Sequence, residues 1–185
     1  MKNQKNIFSA KKIATLSFFC ALSYVVAMIS FPVFSATPYL KLDFGNVFIL
    51  LSGFLFGPVE AIIVCLIKEL LSVMNSSSGG IGEIANFLMT TSFVLLPIIV
   101  YRFKKGIKAV VFSLIGACFI GTAAALVVNR VIVFPLYMKG GAGEVFNSVF
   151  WFVLAFNLIK TAAISLLTLL LYKRLSRFLK RISVK

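Results

Sequence analysis

The chain has 185 residues, 61% of them hydrophobic, where an average soluble domain has roughly half. Its mean hydropathy is +1.05, and several apolar runs approach the roughly 20 residues a spanning helix needs, so a soluble fold is excluded. The net charge of +14 is carried by three clusters beside apolar runs: Lys2, Lys5, Lys11 and Lys12; Arg102, Lys104, Lys105 and Lys108; and Lys173, Arg174, Arg177, Lys180, Arg181 and Lys185. That is the positive-inside pattern, with an affinity for anionic lipid, rather than a nucleic-acid face.

Residues 1–12 form a basic leader on the inner side. The first apolar run predicts a helix over 10–34. Val33-Phe34-Ser35 could pass as a signal-peptide cleavage site, but the run is long for that and nothing downstream reads as a secreted domain. Ala10, Ala14, Ser17 and Ala21 form one narrow stripe of small side chains. It suits close helix packing, within this chain or onto a separate membrane subunit.

Residues 35–45, SATPYLKLDFG, form a long outer loop, apolar around Lys41 and Asp43. It folds back over the bundle, as a lid over a ligand or as an inert plug. Two short helices follow, over 46–57 and 59–75, joined at the Gly57-Pro58 break. Lys68 and Glu69 are adjacent, about 100° apart on a helix, and need not pair. Snorkelling is expected of them ahead of ligand contact.

The polar outer turn NSSSGGIG leads into a helix over 83–101. Glu83 and Asn86 are three apart and share its face. Glu83 alone could be a first-turn acid that complements the helix dipole, which leaves Asn86 unexplained. The run over 107–138 is too long for one straight span. Asn129-Arg130 interrupts it about 33 Å from its start at ~1.5 Å per residue, near the outer surface. A glycine-rich outer loop, Lys139 to Glu144, precedes the last helix, over 146–173. There Lys160 stands near mid-membrane, three residues after Asn157, and needs a polar cavity or an acid partner. Tyr101 and Tyr172 near the inner clusters, and Tyr137 and Trp151 near the outer face, fit interfacial belts.

The predicted fold is an all-α integral membrane protein. Residues 1–185 form a single domain of six transmembrane helices, with both termini cytoplasmic and a long first extracellular loop. Its outer half collects Lys41, Asp43, Asn46, Glu83, Asn86, Asn129, Asn157 and Lys160. Amides offer donor and acceptor together, which suits a flat heterocycle with alternating C=O and N–H groups. Aromatic and leucine side chains could sandwich such a ring. Histidine is absent, which removes the commonest general base and metal ligand. Cys20, Cys65 and Cys118 lie far apart in apolar runs and read as small hydrophobes, with no disulfide framework or zinc spacing. No Walker A pattern is present.

The segments PYLKLDFGNVFILLSGFLFGP and GGIGEIANFL resemble the substrate-binding (S) components of energy-coupling factor (ECF) transporters, and among them the riboflavin group. That group typically shows a K-x-D-F-S-D-like segment, a G-F-L-F-G-P turn and a G-x-G-E-x-A-N-F-L segment. The motifs are fairly specific in combination, and the resemblance covers the whole chain. It implies a non-enzymatic bacterial membrane subunit that captures riboflavin from outside, with no cofactor. Its partners would be a transmembrane coupling subunit and, through it, two ATPases. Matching positions assign ring contacts to Glu83, Asn129, Asn157 and Lys160, with Tyr39, Leu40 and Lys41 from the loop. The small stripe would face the coupling subunit. The chain departs from the pattern at Gly45-Asn46, where the group often has Ser-Asp, which leaves room for a related flavin. Other readings keep the fold with another vitamin or with flavin mononucleotide, whose phosphate could meet Lys41, Arg130 or Lys139. A membrane enzyme using Glu83 and Lys160, or a scaffold, are further alternatives.

Overall fold

The computed structural model describes residues 10–182 apart from 77 and 139. Residues 1–9 of the leader, with Lys2 and Lys5, and also Lys139 and Lys185 lie outside the described residues. The chain is mostly helical: α1 (Ala10–Met28), α2 (Asn46–Phe56), α3 (Pro58–Val73), α4 (Ile81–Phe103), α5 (Ile107–Val128), α6 (Phe134–Tyr137) and α7 (Ala142–Ile182). A π-helical turn over Asn129–Val133 joins α5 to α6. By length and composition, α1, α4, the rod from Ile107 to Tyr137, and α7 up to Tyr172 can each cross a membrane.

Several boundaries differ from the sequence reading. The first helix ends at Met28, not residue 34, because the chain turns there into a short antiparallel pair, β1 (Phe31–Pro32) with β2 (Lys41–Leu42). The outer loop is therefore a strapped hairpin in an otherwise helical fold. Leu40 and Leu42 tuck beneath it against Val153 and Phe156 of α7. The last helix continues to Ile182, beyond residue 173.

Glycine permits two tight features. Gly57 sits at φ 122° between α2 and α3, a region closed to most side chains, and Pro58 opens α3 where its missing N–H costs nothing. At Gly45 a Cβ would collide with the carbonyl of Ser23. Ser23 Oγ donates to the Gly45 carbonyl at 2.9 Å, so α1 and the start of α2 meet backbone to backbone. That close approach is the physical reason a serine does not fit at this position.

The half of the bundle away from the strapped loop, called inner below, holds an aromatic cluster. Phe54, Tyr101 and Tyr172 pack ring on ring, with centroids 5.0 to 5.7 Å apart, and Tyr172 Oη donates to Tyr101 Oη at 3.2 Å. Tyr172 is therefore buried in the core, not part of an interfacial belt. On the same side Lys12 of α1 pairs with Glu60 of α3 at 2.7 Å.

Candidate functional site

The outer half is hollow. A cavity of about 870 Å³ opens between the strapped loop, α3, α4, the π-turn and α7. Tyr39, Leu40, Lys41, Asp43, Asn46, Glu83, Asn86, Asn129, Asn157 and Lys160 all line it, although they come from four separate stretches of chain.

Lys160 meets an acid, but not Glu83. Its Nζ donates to Asp43 Oδ2 at 2.8 Å, and both side chains are buried. Asp43 also accepts the Gly45 N–H through Oδ1 at 3.1 Å. Burial alone would push the Asp43 carboxyl up, but Lys160 and Lys68 nearby, with these two hydrogen bonds, hold it below the usual carboxylate range. The pair ties the base of the loop hairpin to the middle of α7. Lys160 keeps two further N–H donors for other acceptors, and its Nζ lies 5.9 Å from the centre of the Phe156 ring.

Glu83 is held from the turn before it. Ser76 Oγ and Ser78 Oγ both donate to Glu83 Oε2, at 2.9 and 2.8 Å. Glu83 lines the cavity, and Asn86 and Met89 follow it there on α4. Ser78 is braced in turn by its carbonyl, which accepts from Tyr137 Oη at 3.3 Å. Serine-rich turns usually read only as flexible, so these two donors were missed; their spacing from Glu83 was the available signal.

Asn129 and Asn157 are oriented alike. Each folds its Nδ2 back onto the carbonyl four residues earlier, Ala125 and Val153, at 2.8 Å. That leaves each amide oxygen for a donor in the cavity. Asn129 also begins the π-turn, a local register shift that often marks functional positions. Asn46 donates to Thr90 Oγ1 at 2.9 Å, and Thr90, Thr161, Phe93 and Phe156 complete the wall.

Lys68 and Glu69 correct the sequence reading twice. They do pair, at 2.7 Å, and they are buried rather than snorkelling, with side chains 3% and 5% exposed. Both line the cavity. The flexible lysine arm closes a gap that helical geometry alone leaves open. Arg130, by contrast, is exposed and donates to Asn147 Oδ1 at 3.1 Å, away from the cavity lining. Ala10, Ala14, Ser17 and Ala21 are all exposed on α1, so they are not used for packing within this chain.

Known proteins resemble this chain in sequence and in overall fold. The model of the family described as "ECF transporter, substrate-specific component" matches residues 11–172. The riboflavin transporter RibU of Staphylococcus aureus (strain TCH60) is 37% identical over 186 residues, covering 98% of each chain. The riboflavin transporter FmnP of Bacillus subtilis (strain 168) is 27% identical, covering 92% of this chain and 95% of the relative. Among solved structures, one described as "Structure and mechanism of the S component of a bacterial ECF transporter" superposes with a TM-score of 0.81 at 38% identity. It covers 92% of this chain and 98% of the other.

Proposed function

The chain belongs to the family of substrate-specific components of ECF transporters, and from that premise we propose that it captures riboflavin in its outer cavity for uptake into the cell. It is a multi-pass bacterial membrane protein and a transport component, not an enzyme. The observation that carries the ligand assignment is the convergence of Glu83, Asn86, Asn129, Asn157 and Lys160 on one cavity of about 870 Å³. Its two oriented amides, one carboxylate and one ammonium suit the mixed donor and acceptor edge of a flavin ring. Phe93 and Phe156 offer apolar faces, and Tyr39, Leu40 and Lys41 of the strapped loop close the top. Riboflavin is the transported ligand, and the relatives named as riboflavin transporters support that choice.

In the full proposal residues 1–185 form a single domain with six spans, the rod from Ile107 to Tyr137 counting as one. Helix α2, about 16 Å long at 1.5 Å per residue, would cross only together with its flanking turns. Both termini lie in the cytoplasm, where the basic clusters prefer to stay. The exposed stripe Ala10, Ala14, Ser17 and Ala21 docks the transmembrane coupling subunit, which connects to two ATPases. The open small-residue face on α1 supports this, since small side chains let a second helix approach closely.

The test is fluorescence titration of the detergent-purified chain with riboflavin. Saturable quenching at one ligand per chain is expected, and Asn157→Ala and Asn129→Ala should each raise the Kd about fivefold or more. Quenching unchanged in both variants would remove the site assignment. Folded wild-type protein that leaves riboflavin unquenched would remove the ligand.

A further inference from the structure

Only five acids serve a chain of net charge +14. Asp43, Glu60 and Glu69 are each paired with a lysine, and Ser76 and Ser78 hold Glu83. Glu144 lies in the first turn of α7, about 45 Å along that helix from Arg174 at 1.5 Å per residue. Arg174 is exposed and has no ion-pair partner among the described residues. It follows the span that ends at Tyr172, and Tyr172 meets Tyr101 beside Arg102, so it stands at the inner end of the bundle. The same arginine ends a groove of about 620 Å³ that is otherwise lined by apolar side chains. Leu167, Leu170, Leu171 and Arg174 are spaced so that they share one face of α7, and Phe44, Val47 and Phe48 form the opposite wall. Leu170 and Leu171 are exposed, so the groove opens away from the core. Its other end lies at Phe44, next to Asp43, which binds Lys160. Lys160 to Arg174 is about 21 Å along α7, and one leaflet of a hydrocarbon core roughly 30 Å thick is about 15 Å deep.

We propose that this groove binds one anionic phospholipid of the inner leaflet, with an acyl chain along Leu167, Leu170 and Leu171 and the headgroup phosphate held by Arg174. A guanidinium presents paired N–H donors that match a phosphate. A zwitterionic headgroup carries its own ammonium, which competes for that phosphate, whereas an anionic headgroup does not. The basic clusters make the whole inner surface attractive to anionic lipid, but Arg174 is the basic residue that lines the groove. The site shares no lining residue with the outer cavity, so it stands whatever that cavity takes. Val26 at the α1 edge of the groove lies about 150° around that helix from the stripe of Ala10, Ala14, Ser17 and Ala21. A subunit docked on the stripe therefore leaves the groove facing lipid.

The experiment places the full chain in vesicles, with Trp151→Phe removing its one tryptophan and Leu170→Trp setting a reporter in the groove. Quenching of that reporter by brominated-chain phosphatidylglycerol is compared with quenching by brominated-chain phosphatidylcholine, at one fixed salt concentration. Phosphatidylglycerol should be preferred about fivefold, the contribution of one basic side chain at the membrane surface. Arg174→Gln should abolish that preference. Lys104→Gln removes a charge at the same end of the bundle but off the groove, and should leave the preference in place. Leu171→Trp serves as the reporter if circular dichroism shows that Leu170→Trp does not fold. Equal quenching by the two lipids, a preference that survives Arg174→Gln, or one that Lys104→Gln lowers as much, overturns the site. Quenching by neither lipid shows a groove closed to the bilayer and overturns it as well.

Discussion

The two halves of this molecule use polar groups in opposite ways. In the inner half, Tyr101 and Tyr172 spend their hydroxyls on each other inside a packed aromatic cluster with Phe54. In the outer half, Glu83, Asn129, Asn157 and Lys160 are each held by one or two protein contacts and line a cavity with hydrogen-bonding capacity to spare. Saturated polar groups build a frame, whereas half-saturated groups around a void await a partner. The cavity lining includes none of the three inner rings.

The contrast is broken most severely at Lys160. Lys160→Met should leave Asp43 buried without its cation, destabilising the fold by about 3–5 kcal/mol and weakening riboflavin at least tenfold. Thermal unfolding with riboflavin titration checks both effects. Adding Asp43→Asn should recover much of the stability but not the affinity. If the double variant binds as wild type does, Lys160 serves only the frame.

Acid should weaken the same link. The Asp43 carboxyl has a folded-state value below its ordinary one, so it contributes stability above the unfolded value of about 3.9. That contribution is lost as the pH falls through the lower folded value. The melting temperature should hold between about pH 5 and pH 8 on account of this group and decline below about pH 4, with Asp43→Asn removing that part of the decline.

Glu83→Gln keeps the shape and the contact with Ser76 and Ser78 but removes the charge. It should weaken riboflavin about tenfold, close to 1.4 kcal/mol, with little change in melting temperature. The smallest effect belongs to the inner half. Tyr172→Phe removes one hydroxyl pair and should cost about 0.5–1.5 kcal/mol of stability with the riboflavin Kd unchanged. A Kd that moves in Tyr172→Phe would show that the two halves are coupled.

Much of the site was legible because polar groups are conspicuous in an apolar chain. Lys160 in mid-span, Asn157 three residues before it, and the Glu83-Asn86 face all stood out, and all line the cavity. Their partners did not stand out. Lys160 and Asp43 are 117 residues apart, and nothing local connects them. The Lys68–Glu69 contact depends on side-chain flexibility, which helical angles do not describe. Helix α1 stops at Met28 although Ile29 to Phe34 are nearly all apolar. Pro32 disfavours helix at Phe31 before it, and the two pair instead with Lys41 and Leu42. The π-turn at Asn129 carries no sequence signal beyond the Asn-Arg interruption.

The most direct test of the central claim is the visible absorption spectrum of the chain purified in detergent without added ligand, followed by readdition of riboflavin. A flavin band that survives extensive washing, or one that returns at one equivalent per chain on readdition, is the predicted result. A folded, colourless protein that retains no flavin after readdition and does not quench riboflavin fluorescence would contradict it.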